Sequence, residues 1–334
     1  MDLSTTYMGI KLRNPLVASP SPLSHTLDGV RRLADGGASA VVLHSLFEED
    51  LLSQAERQTA LAEAGSESSP EALSFFPEIP GADAEPRRYL SLLERSASTV
   101  GVPVVASLNG ATPGSWSRYA RQMQDAGASG IELNLYASPA GPAAAARAVE
   151  ETHLEILGQV KGAVALPVAV KLSPYYSSVG EMAARLAAAG ADALVLFNRF
   201  MHPDIDTDAL SLVPGIGLSS PPEARLPRTW VALLRPSLST SLAISTGTHS
   251  SNDLVKGLLA GADVVMATSV LLNHGPQHSE VLLDGLSAWM EARGYANIKQ
   301  FRGLLASGRN VPSRERARYV EALRAANAVQ AGTW

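Results

Sequence analysis

Lys171 closes an otherwise apolar run, LPVAVK at 166–171. A lysine so placed has three outlets. It can snorkel from a rim to water, put a cation beside the anionic N1/O2 edge of a flavin, or form a Schiff base with a carbonyl substrate. The last two need it buried at the mouth of a cavity. A second cluster lies nearer the C terminus, in ISTGTHSSND at 244–253 and VMATSVLLNHG at 265–275. Gly247 lets backbone approach a ligand closely, while Thr246, Thr248, Thr268 and Ser269 offer hydroxyl donors. The run Ser250-Ser251-Asn252-Asp253 is of helix-capping type, and a helix N-terminus attracts anions. A phosphate site is expected there.

Such groups work only if the chain brings them to one place, and two repeated phrases indicate how. The first is GGASAVVLH at 36–44, AGASGIELN at 126–134, AGADALVLF at 189–197 and AGADVVMAT at 260–268. Each reads as a glycine-terminated helix end followed by a strand. The second is NPLVAS at 14–19, VPVVAS at 102–107, LPVAVK at 166–171 and TSLAIS at 240–245. These read as buried parallel strands. The two kinds alternate, which predicts strands near 16–19, 40–44, 103–108, 130–134, 167–171, 193–197, 241–245 and 263–267 with helices between them. Eight such units imply an α/β fold, a (β/α)8 TIM barrel, as a single domain over 1–334. Long loops are expected after strand two (45–85) and strand six (198–225), where barrels carry lids and binding loops. Two further helices are expected around 297–307 and 312–327.

Barrel chemistry sits at the C-terminal ends of the strands. Those ends are Ser19, His44 with Ser45, Ser107 with Asn109, Asn134, Lys171, Asn198, Thr246 with Gly247, and Thr268 with Ser269. Singly, such residues are common turn formers and caps. As a complete ring they predict a polar, multidentate ligand over the mouth. His25, His44, His202 and His249 are acid–base candidates, and no spacing among them suggests a metal.

Composition narrows the chemistry. The 334 residues are 46% hydrophobic and 18% charged with a net charge of −5, and basic residues are scattered, so a nucleic-acid partner is not expected. No apolar run approaches the roughly 20 residues that span a bilayer, and the N-terminal sequence lacks the pattern of a signal peptide. A cytoplasmic protein without a membrane partner is expected. With no cysteine, the chain itself cannot ligate an iron–sulfur cluster through thiolates, so redox work needs an organic cofactor or an electron-carrying partner.

At NPLVAS, IELNLYASP (131–139), VKLSPYY (170–176), STGTHSSND and LAGADVVMATSVLLNHGP (259–276), the chain resembles the dihydroorotate dehydrogenase family over nearly its whole length. The resemblance implies an FMN barrel that acts on a CH–CH bond of a small cyclic, dihydropyrimidine-like substrate. It implies Asn134 and Lys171 at the flavin and pyrimidine edge. Ala18, Ser19 and Ser45 would lie along the isoalloxazine, and Gly247, Thr248, Thr268 and Ser269 around the phosphate. Asn109, Asn198, Gly217 and Thr246 complete the expected cofactor set. A homodimer and an electron-transfer partner protein are also implied.

The same motif departs from the family where the base should be. Members carry N-x-x-[C/S]-P-N, whereas this chain reads Asn134-Leu135-Tyr136-Ala137-Ser138-Pro139-Ala140. Counting from Asn134 puts Ala137 at the base position, and counting back from Pro139 puts Ser138 there. Ser138, with Lys171, is the catalytic candidate. The family's lysine after strand two is His44 here, its diglycine is Gly247-Thr248, and its orotate-gripping Asn-rich segment is missing from 45–85. Two alternatives stay open: a Schiff-base lyase or isomerase acting on a phosphorylated substrate, and a non-catalytic flavin-binding barrel.

Overall fold

A computed structural model describes residues 1–49, 84–110, 112–114, 116–135, 144–199, 204–213, 217–306 and 319–326. Its centre is a closed barrel of parallel strands: β1 (Leu16–Ala18), β2 (Ala40–Phe47), β3 (Val104–Gly110), β4 (Gly130–Leu135), β5 (Val168–Leu172), β6 (Ala193–Leu196), β7 (Ser241–Ile244) and β8 (Val264–Ala267). β8 pairs with β1, which closes the ring. All eight strands lie where the repeats predict them. Helices α1 (Leu27–Asp35), α2 (Ala84–Thr99), α3 (Trp116–Asp125), α4 (Ala146–Ala163), α5 (Val179–Ala188), α6 (Arg225–Leu234) and α7 (Ser251–Ala260) are the crossovers. After β8 come α8 (Ser269–His274) and α9 (His278–Glu291).

Side chains alternate between two cores, as the two-residue period of a strand requires. Leu43, Val104, Ile131, Leu133, Val170, Leu194 and Val265 face outward and pack in one cluster with the helices. Val17, Val42, Val105, Ala169, Val195, Ala243 and Met266 form a second cluster inside the barrel. Its floor is an N-terminal hairpin, Thr5–Tyr7 against Ile10–Leu12, whose Tyr7, Met8 and Leu12 join the interior cluster. The hairpin turns through Met8 (φ 52°) and Gly9 (φ 77°), the paired positive φ values of a tight turn matched to strand twist. Thr5 Oγ1 donates to the carbonyl of Asp263 (3.0 Å), and Ser241 Oγ accepts from the amide of Met8 (3.1 Å).

Two short hairpins fell outside the sequence expectations. One is this floor, and the other is Asp204–Asp206 with Ser211–Val213, inside the long segment after β6. The helix expected over 297–307 is instead a single 3-10 turn, Ile298–Gln300, followed by further turns. The physical reason is that the amides of Gly303 and Leu305 bond to the carbonyls of Leu258 and Leu259 (both 2.9 Å) at the end of α7. Gly303 takes φ 77°, which no helix interior tolerates. Residues 319–326 are helical, within the second expected stretch. Most of the expected loop at 45–85 lies outside the described residues.

Helix α7 lies so close on the sheet that a Cβ at Gly257 would sit 2.7 Å from Val265 Cγ2 and 3.2 Å from Ile244 Cδ1. Gly257→Val is therefore expected to overpack this contact and cost about 1–3 kcal/mol. Urea denaturation checks it, and an unchanged midpoint would contradict the close approach.

Candidate functional site at the C-terminal mouth of the barrel

The alternation that fills the barrel also delivers its polar groups. Asn109 lies opposite Asn134, and Asn134 opposite Lys171, in one row across β3, β4 and β5. One step deeper run Ser107, Glu132 and Ala169. Because Ala169 is in the interior cluster, Lys171 two residues on also faces inward. Lys171 is only 7% exposed, and its Nζ lies 3.3 Å from Oε1 of Glu132, itself 1% exposed. That removes the snorkelling reading. Asn198, just past β6, donates from Nδ2 to Oδ1 of Asn134 (3.1 Å). With its oxygen engaged, Asn134 turns its amide donors to other partners.

Glu132 was not anticipated. The signal was in the sequence: if Asn134 points into the barrel, so must the residue two before it. Its other oxygen, Oε2, is buried with no hydrogen-bond partner, as is the hydroxyl of Tyr7 in the floor hairpin. Burial, and then the charges of Glu132 and Asp263, push the Tyr7 hydroxyl well above its ordinary range. It stays protonated.

At β2 the alternation is broken by a bulge. Val42 pairs with Val105, but the next partners are Ser45 and Ser107, so β2 carries one extra residue. Ser45 is thereby turned onto Ser107, Oγ to Oγ 2.9 Å. His44 is diverted: its Nδ1 lies 3.3 Å from the carbonyl of Ser24, and its ring stacks on His25 at 3.9 Å with Tyr89 at its edge. Burial first, and His25 second, lower the pKa of His44. The Tyr89 hydroxyl takes the amide of Ser107 (2.7 Å), bracing the bulge from α2.

On the opposite side of the mouth, Ser219 ties the expected phosphate residues together. Its Oγ is 2.9 Å from Ser269 Oγ and 3.3 Å from His249 Nε2, and it accepts from the Gly247 amide (3.3 Å). The Ser219 amide donates to Ser269 Oγ (2.9 Å). Ser219 was also missed, being read only as part of a long loop. Gly247 holds φ 75°, and a Cβ there would meet the Ala224 amide nitrogen at 2.3 Å, so only glycine fits. Thr248 is 3% exposed, and its hydroxyl has no partner. Thr246 donates to the carbonyl of Phe197 (3.3 Å), and Thr268 is half-buried at the N-cap position of α8. Asp253 caps α7, accepting from the amides of His249 (3.2 Å) and Ser250 (2.9 Å), with Arg228 at 3.6 Å. The protein's own carboxylate thus already serves that helix N-terminus.

Two expected cofactor residues stand differently from the rest. The side chain of Ala18 packs in the outer cluster, which leaves only its backbone for the mouth. Gly217 is exposed, and its carbonyl accepts from the guanidinium of Arg199. Ser19 is buried, with its amide on the carbonyl of Ala267 (3.1 Å). Ser138, Ala137, Tyr136 and His202 lie outside the described residues.

The fold and site together are those of an α/β barrel with a buried lysine, converging Asn side chains and a cluster of hydroxyls at the C-terminal face. The family model described as Dihydroorotate dehydrogenase matches residues 2–290. This chain belongs to the dihydroorotate dehydrogenase family, oxidoreductases of the CH–CH class. It is 28% identical over 309 residues to the dihydroorotate dehydrogenase B (NAD(+)) catalytic subunit of Methanothermobacter thermautotrophicus, covering 90% of this chain and 98% of that one. It is 27% identical over 314 residues to the protein of the same name from Thermoplasma acidophilum, covering 91% and 98%. A putative dihydroorotate dehydrogenase A (fumarate) of Aeropyrum pernix is 26% identical over 221 residues, covering 65% and 72%. Among the described residues no helix is long and apolar enough to cross a membrane.

The loop that follows Lys171 is moored through Tyr176, whose hydroxyl lies 2.9 Å from Nδ1 of His153 on α4. His153 is 3% exposed, its Nε2 has no partner, and burial lowers its pKa to about 4. Between about pH 6.5 and 4 the unfolded chain binds a proton at His153 that the folded one does not, so stability rises with pH in this window. Acidifying from pH 7 to 4 should therefore cost on the order of 2–3 kcal/mol at this residue. His153→Gln should flatten that part of the profile, as read by urea unfolding at successive pH values, and an unchanged slope would rule it out.

Proposed function

We propose that the chain is an FMN-dependent oxidoreductase that transfers hydride to or from a CH–CH bond of a small cyclic substrate of the dihydropyrimidine kind. The observation that carries this reading is the buried Lys171 in one row with Asn109 and Asn134, at the same end of the barrel as the Ser219–Gly247–Ser269 cluster. The donor set fits the group. The unpartnered Thr248 hydroxyl and the tight Gly247 turn suit a phosphate, and a fixed ammonium suits the isoalloxazine edge that becomes anionic on reduction. Bound FMN would supply the two-electron acceptor that no side chain of this chain can provide.

The chain's own groups would do the rest. Lys171 would stand at the flavin edge, and Asn134, oriented by Asn198, would donate to the ligand from its amide nitrogen. Ser45 and Ser107 line the β2–β3 side. Ser138 is the group we assign to take the substrate proton, since it is the hydroxyl next to Pro139 in the family's base motif. A missing Asn-rich segment and an Ala140 in place of Asn favour a substrate other than dihydroorotate, because each lost partner of a buried polar group costs roughly 1–3 kcal/mol. The Schiff-base alternative has no support from the family match, and Lys171 is occupied with Glu132.

Electrons must also leave. The relatives named as NAD(+)-dependent catalytic subunits favour a separate electron-transfer partner, in keeping with the absence of cysteine here. A homodimer and a cytoplasmic location complete the proposal. Pairing would cover apolar groups such as Ile205, Leu210 and Leu212, exposed on the hairpin after β6.

Purified protein is expected to show flavin absorbance, as isolated or after FMN is added, and to bind riboflavin at least about tenfold more weakly than FMN through loss of the phosphate bonds. Absence of flavin binding would overturn the reading. Anaerobic titration with dihydroorotate and other dihydropyrimidines should bleach the flavin with at least one of them. A yellow protein that none of them reduces would favour the non-catalytic alternative.

A further inference from the structure

We propose that Glu132 is the positioning residue for Lys171, holding its head aimed at the barrel mouth from beneath. The proposal rests on the FMN reading for the identity of the ligand above Lys171, but not for the pair itself. Glu132 is a full charge inside the barrel wall, 1% exposed, and among the described residues Lys171 is its one ion-pair partner. Its flanking neighbours in register, Ser107 and Ala169, carry no charge that could take over.

Geometry favours a functional over a merely structural pair. A buried ion pair seldom stabilises a fold more than an apolar pair of equal volume, because desolvation offsets the attraction. Here the cost is accepted one step below the row of Asn109, Asn134 and Lys171, where the mouth converges. It is accepted incompletely as well, since Oε2 of Glu132 has no partner at all. A lysine has four rotatable bonds and a strongly hydrated head. Without the carboxylate below, its head would be drawn toward water. The pair also leaves the wall electrically neutral before any ligand arrives, so charge gained by a ligand meets an ammonium already fixed in place.

The test uses the full-length protein and competitive acylation with acetic anhydride, scoring Lys171 against the exposed Lys256 by mass spectrometry. In Glu132→Gln, Lys171 is expected to react at neutral pH at least about tenfold faster relative to Lys256 than in the wild type, because an amine no longer held in the wall by the carboxylate is open to the reagent. Glu132→Asp, which keeps the charge but withdraws it by one methylene, should fall between the two. It carries the comparison if the Gln variant does not fold. A Lys171 ratio equal to the wild type in the variants that fold overturns the proposal.

The second readout is the visible spectrum and affinity of added FMN. Glu132→Gln should change both when residue 171 is Lys and neither in a Lys171→Met background. Equal changes in the two backgrounds would mean that Glu132 does not act through Lys171, and would likewise overturn it. If the FMN reading is wrong, every variant stays colourless while the acylation ratio still separates Gln from Glu at 132.

Discussion

Every second side chain of a strand in a closed barrel must point inward, and the interior has room for few of them. This steric constraint governs the whole protein. It assigns Val105, Ala169, Val195 and Ala243 to an apolar plug and their alternates, such as Val104, Val170, Leu194 and Leu242, to the layer beneath the helices. It also carries the next inward positions, Asn109, Asn134 and Lys171, to the C-terminal mouth in a single row. The site is thus the top of the same stack whose lower part is core. Its side chains inherit the rigidity of the wall, where a site built on loops would have to find it separately.

Within that stack one charged pair sets the electrostatics. In a poorly polarisable interior, Glu132 and Lys171 answer each other's charge, while the second carboxylate oxygen and the Tyr7 hydroxyl are left without protein partners. Buried polar atoms in this condition are uncommon, and each calls for an explanation such as a catalytic role, a bound water or an ion. Across the mouth the arrangement differs in kind. The cradle around Ser219 and Gly247 consists of neutral hydroxyls and amides, and the nearby helix start is already answered by Asp253. A ligand with an anionic tail and a head that becomes anionic on reduction would find a neutral donor cluster at one end and a fixed cation at the other.

The chain's departures from its family gather around this polar frame. One extra residue in β2 turns Ser45 onto Ser107 and sends His44 against His25 and Ser24, at the strand end where the family resemblance implies a lysine. Tyr89 from α2 satisfies the backbone of Ser107 beside the bulge. The stacked His44 and His25 stand there instead, His44 partly buried and His25 exposed.

The sequence by itself determined the barrel. Its repeated helix-end and strand phrases placed all eight strands, because local periodicity and glycine termini are properties of short segments. It also indicated Lys171, Asn134 and Gly247, each at the end of an apolar run. Tertiary structure alone decided the rest. Ser219 becomes a hub only when a loop after β6 meets the start of α8, 50 residues further on. Glu132 becomes the partner of Lys171 only when two strands pair in register. His44 meets Ser24 and His25 only when the segment after β1 packs against the bulged β2, which no local pattern encodes. The helix expected near residue 300 dissolved for the same reason, since its amides found carbonyls at the end of α7. Hydrogen bonds and ion pairs between segments far apart in the chain depend on where those segments meet, and that is a property of the closed barrel.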